Sequence, residues 1–99
     1  MKKSLNIKIP LSILKQLDDN GQLNPSYLEG FIVAHFHTNE GLNEPVTELS
    51  YNYTFKIDSE VHKAVKLKSI ELGINMNEYV ARLLVAYYRA IDSYGDSNV

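Results

Sequence analysis

Cysteine is absent from this 99-residue chain, which excludes disulfides and thiolate chemistry and fits a reducing cytoplasm. Long apolar runs are missing too. None approaches the roughly 20 residues of a membrane span, so no membrane partner is expected. Met1-Lys2-Lys3-Ser4 is basic, but only isolated apolar residues follow, unlike a signal peptide. The sequon match Asn52-Tyr53-Thr54 is accordingly read as chance. There is no Gly-rich phosphate loop and no Ser/His/acid set at recognisable spacing, so neither an enzyme nor a cofactor is expected. His35-Phe36-His37 with Glu40 would put two rings on one side of an extended segment. A metal site needs further ligands that the sequence does not announce, and a helix end meeting a linker explains these residues better.

A basic excess is also lacking. The formal net charge of −2 counts against a general nucleic-acid binder. Its distribution softens that objection. Residues 1–36 hold four lysines against three acids, and residues 51–99 hold six basic against six acidic side chains. Between them Glu40, Glu44 and Glu48 stand with no lysine or arginine, so the negative balance lies in one stretch.

What the chain does contain is 44% hydrophobic residues, ordinary for one globular domain, and a repeated pattern. Leu5-Asn6-Ile7-Lys8-Ile9-Pro10 and Tyr53-Thr54-Phe55-Lys56-Ile57-Asp58 alternate alike, 48 positions apart. Period two over residues 3–9 predicts a half-buried strand, with Leu5, Ile7 and Ile9 inward and Ser4, Asn6 and Lys8 outward. Pro10 ends that strand and suits a helix start. Ile13, Leu14 and Leu17 recur at helical spacing until the turn residues Asp18-Asp19-Asn20-Gly21. Asn24 as N-cap and Pro25 at the first position open a second helix along Tyr27, Leu28, Phe31, Ile32 and Phe36. Gly30 inside it is unfavourable by about 1 kcal/mol, which predicts close packing there.

Residues 37–50 read as an acidic linker. The pattern then repeats. Tyr51, Tyr53, Phe55 and Ile57 face inward and Asn52, Thr54 and Lys56 outward. Asp58 or Ser59 caps a helix with Val61, Ala64 and Val65 as its stripe, where Lys68 must snorkel. Gly73 is the expected left-handed cap. Asn75 opens a last helix whose inner face is Tyr79, Val80, Leu83, Leu84, Tyr87 and Ile91, and Ser93–Val99 is a frayed polar tail. Tyr27–Phe36 aligns with Tyr79–Tyr88 at an offset of 52, so the first unit is four residues shorter across its first helix and turn. The alternative is two unrelated αβ pieces with accidental similarity.

A lone strand leaves its hydrogen-bonding groups unpaired, so each strand–helix–helix unit needs the other. Thr54-Phe55-Lys56-Ile57-Asp58-Ser59-Glu60-Val61 followed by Gly73-Ile74-Asn75-Met76-Asn77-Glu78-Tyr79-Val80 resembles the ribbon-helix-helix family of DNA-binding proteins, to which Arc and MetJ belong. The first unit is similar through its strand and last helix, with a shorter turn. Together the units cover about 80 of the 99 residues. Two units on one chain resemble the TraY-type members, in which one polypeptide forms the pseudo-dimer. The resemblance implies a mainly α fold with a two-stranded antiparallel β-ribbon, built from units 1–36 and 51–92 around the linker 37–50, before the tail 93–99. A linker of about 13 residues reaches roughly 43 Å, ample for that path.

The resemblance further implies double-stranded DNA as partner, with the polar ribbon face in the major groove. Ser4, Asn6, Lys8, Asn52, Thr54 and Lys56 would read bases; Asn suits adenine, Lys reaches guanine acceptors, and Ser or Thr donates or accepts. Lys2, Lys3, Asn24, Ser26, Asn75 and Asn77 would contact phosphates, the asparagines and Ser26 at helix N-termini. Pro25 offers no amide there, and Glu78 would oppose a phosphate if it faced the DNA. A repressor is the first expectation, with further self-association on DNA. A TraY-type DNA-processing accessory needs the same ribbon. A protein-binding inhibitor on the same scaffold would use the acidic linker and exposed tyrosines such as Tyr51, Tyr88 or Tyr94.

Overall fold

The computed structural model describes residues 1–36, 42, 45–47 and 50–97, with side chains described through residue 91. Six elements follow in order: β1 (Lys2–Pro10), α1 (Leu11–Asp19), α2 (Pro25–Ala34), β2 (Ser50–Asp58), α3 (Ser59–Leu72) and α4 (Met76–Ser97). The fold is mostly helical, with one two-stranded antiparallel sheet. The strand–helix–helix order occurs twice.

Alternation decides which ribbon face is buried. Leu5, Ile7, Ile9, Phe55 and Ile57 are buried and Tyr53 is half-buried, while Ser4, Asn6, Lys8, Asn52, Thr54 and Lys56 are exposed. A one-residue slip would reverse every one of these side chains, so the apolar face fixes the register. That register sets Asn6 opposite Thr54, with Leu5 opposite Phe55 and Ile7 opposite Tyr53. Asn6 and Thr54 are themselves 48 positions apart, so at this pair the two copies of the sequence pattern meet.

The strand ends match as closely. Pro10 has φ −56° and ψ 145°, and Asp58, the same 48 positions on, has φ −57° and ψ 142°. Pro10 reaches this geometry through its ring. Asp58 does so as an N-cap, its carboxylate accepting from the Glu60 amide at 3.2 Å.

Both turns are Schellman motifs around a left-handed glycine. The Gly21 and Gly73 amides donate to Asp18 and Ile70 carbonyls at 3.1 Å, and the Gln22 and Ile74 amides to Leu17 and Ser69 at 2.7 and 3.0 Å. Their φ values are +67° and +71°, which an L side chain rarely adopts. The first turn is therefore not the shorter one. The missing residues come out of the helix, since α1 has 9 residues and α3 has 14. Counted from Pro10 to Gly21 and from Asp58 to Gly73 the difference is four residues, because Asn20 caps α1 before its glycine; four residues are close to one helical turn, so the buried face keeps its phase.

The helices cross between units: α4 packs on β1 and α2 packs on β2. Tyr79, Val80, Leu83 and Leu84 bring the inner face of α4 into the core, joined by Leu28, Phe31 and Ile32 of α2. Phe31 and Tyr87 meet edge to face, their centroids 5.2 Å apart. Fully burying such side chains contributes about 1.5–3 kcal/mol each. Each strand's apolar face is thus covered by a helix from the other half of the chain.

Three further expectations require correction. Gly30 is exposed and a β-carbon there would meet nothing within 4 Å, so no close packing explains it. Ile91 is 45% exposed, while Tyr88 is buried at 9%, because α4 turns Tyr88 towards Tyr27 and Tyr87. On α3, Val65 and Ser69 are buried and Lys68 is half-buried; the Ser69 hydroxyl donates to the Lys66 carbonyl at 2.7 Å, which satisfies it inside the core. The backbone of α4 continues through Ser97, so most of the expected tail is helical. Tyr94's side chain lies outside the described residues.

Candidate functional site

The outward ribbon face gathers the six residues expected to act together. Across the ribbon they stand as Ser4 opposite Lys56, Asn6 opposite Thr54, and Lys8 opposite Asn52, all exposed. Lys8 and Lys56 occupy diagonal corners four residue steps apart along the ribbon, about 14 Å at a strand's rise. Thr54 Oγ1 lies 3.4 Å from Asn6 Oδ1, too long to occupy either group strongly. The donors and acceptors in the middle of the face therefore remain available to a partner. No acid stands among the six.

Lys2 shares this face at its rim, opposite Asp58, while Lys3 pairs with Ile57 and belongs to the other face. The acid at the rim is engaged locally as the cap of α3. Ser59's amide donates to the Met1 carbonyl at 3.0 Å and Asp58's amide to Glu29 Oε1 at 2.9 Å, which ties this corner to β1 and α2.

Beside the face, Ser4, Leu5, Asn6, His62, Asn75, Met76 and Asn77 line an open depression of about 370 Å³. The structure thus brings Asn75 and Asn77, at the start of α4, next to Ser4 and Asn6 of the outward ribbon face. The Asn75 carbonyl accepts from the Tyr79 amide at 2.9 Å and begins the helix. His62 was not anticipated. A lone histidine on the half-exposed side of α3 carries no signal until the fold sets it against the strand.

The start of α2 differs. Asn24 Oδ1 accepts from the Tyr27 amide at 2.8 Å and its Nδ2 donates to the Gly21 carbonyl at 3.1 Å. Both ends of that amide serve the cap, and Pro25 removes a backbone donor. Ser26 is exposed. The two flanks of the ribbon are chemically unequal.

Glu78 does not line the depression. Its Oε2 receives Arg82 Nε at 2.9 Å and the Val46 amide at 3.2 Å, while Arg82 Nη1 donates to the Leu42 carbonyl at 2.8 Å. Leu42 is 2% exposed, so this part of the linker is anchored in the core. The sequence offered Glu78 and Arg82 as an i, i+4 pair, but nothing in the aperiodic linker marked its share.

His35 ends α2, its Nδ1 2.8 Å from the Phe31 carbonyl and its ring stacked on Phe31 at 4.2 Å. His37 and Glu40 lie outside the described residues. Among the described residues no group of three His, Cys, Asp or Glu is placed to hold a metal, and no helix is long and apolar enough to cross a membrane. Comparison with known proteins found no matching family model, no similar curated protein and no similar solved structure.

Proposed function

We propose that the chain is a sequence-specific double-stranded DNA-binding protein that inserts its β-ribbon into the major groove, acting as a repressor. The observation that carries the reading is the outward ribbon face: six exposed side chains, two lysines and four short polar groups, without an acid among them. A two-stranded ribbon fits the major groove, and these side-chain types match the donor and acceptor pattern of base edges.

The same reading makes the chain a tandem ribbon-helix-helix pseudo-dimer. Support comes from the matching angles at Pro10 and Asp58, the paired Schellman turns and the pairing of Asn6 with Thr54. Asn75 and Asn77 beside the ribbon suit the role of phosphate contacts at the start of α4. Because Ser4-Asn6-Lys8 and Asn52-Thr54-Lys56 differ, one chain reads an asymmetric core. Selection from a random duplex pool is expected to return a non-palindromic sequence per chain, and a strictly palindromic core would count against this. A TraY-type accessory role uses the same face, and the neighbouring genes distinguish it from repression.

A further inference from the structure

We propose that Arg82 is a positioning residue for DNA binding: together with the linker residues Leu42 and Val46, it holds the Glu78 carboxylate away from the path of a phosphate at the start of α4. The proposal rests on the DNA-binding reading above. Glu78 is the third residue of α4, immediately after Asn77, which lines the depression beside the ribbon. An acid in a first helical turn complements the helix dipole, yet it repels any phosphate that approaches the same amides. Its direction therefore decides whether this helix end can serve an anion.

Three hydrogen bonds set that direction. Arg82 Nε and the Val46 amide both bond Glu78 Oε2, at 2.9 and 3.2 Å, and Arg82 Nη1 reaches the Leu42 carbonyl at 2.8 Å. The Arg82 side chain is only 13% exposed, so it acts through Glu78 and the linker rather than by touching DNA. Leu42, buried in the core, fixes the carbonyl to which Arg82 is anchored. The linker thereby does more than join the two halves. It supplies two of the three bonds of the clasp.

The test is a double-mutant cycle on the full chain, with a selected duplex as probe in a fluorescence anisotropy titration over a salt series. Arg82→Met frees the carboxylate and is expected to weaken binding about tenfold and to lower the salt slope by about 1. Glu78→Gln in that background is expected to restore affinity to within about threefold of the unaltered chain, because the repelling charge is gone. A merely structural role for Arg82 predicts the opposite, with the double variant as weak as Arg82→Met or weaker. Should Arg82→Met fail to fold by circular dichroism, Arg82→Gln with and without Glu78→Gln is read the same way, rescue by the second change supporting the proposal and its absence overturning it. If the unaltered chain binds no duplex, the DNA reading fails. If it binds but the cycle shows no rescue, this inference alone fails.

Discussion

Gly30 and Tyr79 show how single residues depart from what burial would favour. Gly30 lies within α2 with open space where a β-carbon would go. Gly30→Ala is expected to raise unfolding free energy by about 0.5–1 kcal/mol, seen as a higher urea midpoint, by restricting the unfolded chain. Tyr79 is fully buried and its hydroxyl has no partner among the described residues. Burial, with the nearby Glu71 charge, pushes its ionisation up to about 12 from 10.0. Tyr88 also rises to about 12, through burial and then its neighbours Tyr27 and Tyr87. The folded state thus keeps protons that the unfolded chain gives up above pH 10, so stability falls as pH climbs from 10 towards 12. Tyr79→Phe removes an unsatisfied group and is expected to be neutral or stabilising by roughly 1 kcal/mol near pH 7, with a shallower alkaline loss. Thermal melts across that pH range check both effects.

At the scale of elements, what the sequence made legible follows from strict periodicity and turn chemistry. The strands alternate because one face is buried, and Gly73 announced a left-handed cap that only glycine accommodates readily. Gly21 was read merely as part of a breaking turn, although it closes the same hydrogen-bond pattern. Its match to Gly73 was masked because α1 lost about one helical turn rather than a part of the loop. The six polar ribbon residues were legible for the same reason as the core. The clasp at Glu78 was not, because a single buried leucine in an aperiodic segment has no pattern to reveal it. Leu42→Ala is expected to destabilise the fold by about 2–4 kcal/mol, measured by urea denaturation. A loss below about 0.5 kcal/mol, the usual range for a surface change, would mean that the linker is not anchored there.

For the molecule as a whole, charge and connectivity bear on one claim. The segment 37–50 carries three acids and no lysine or arginine, which turns the balance of the chain negative, and the six outward ribbon residues include no acid. The crossing of α4 onto β1 and α2 onto β2 makes the ribbon a joint product of both halves. The decisive measurement is duplex binding by the unaltered chain and by Lys8→Ala/Lys56→Ala, across a salt series and with selected and scrambled sequences. The account predicts that log affinity of the unaltered chain falls linearly with log salt, and that the double variant loses preference for the selected sequence while staying folded. Salt-insensitive or absent binding of the unaltered chain, or undiminished sequence preference in the double variant, would contradict it.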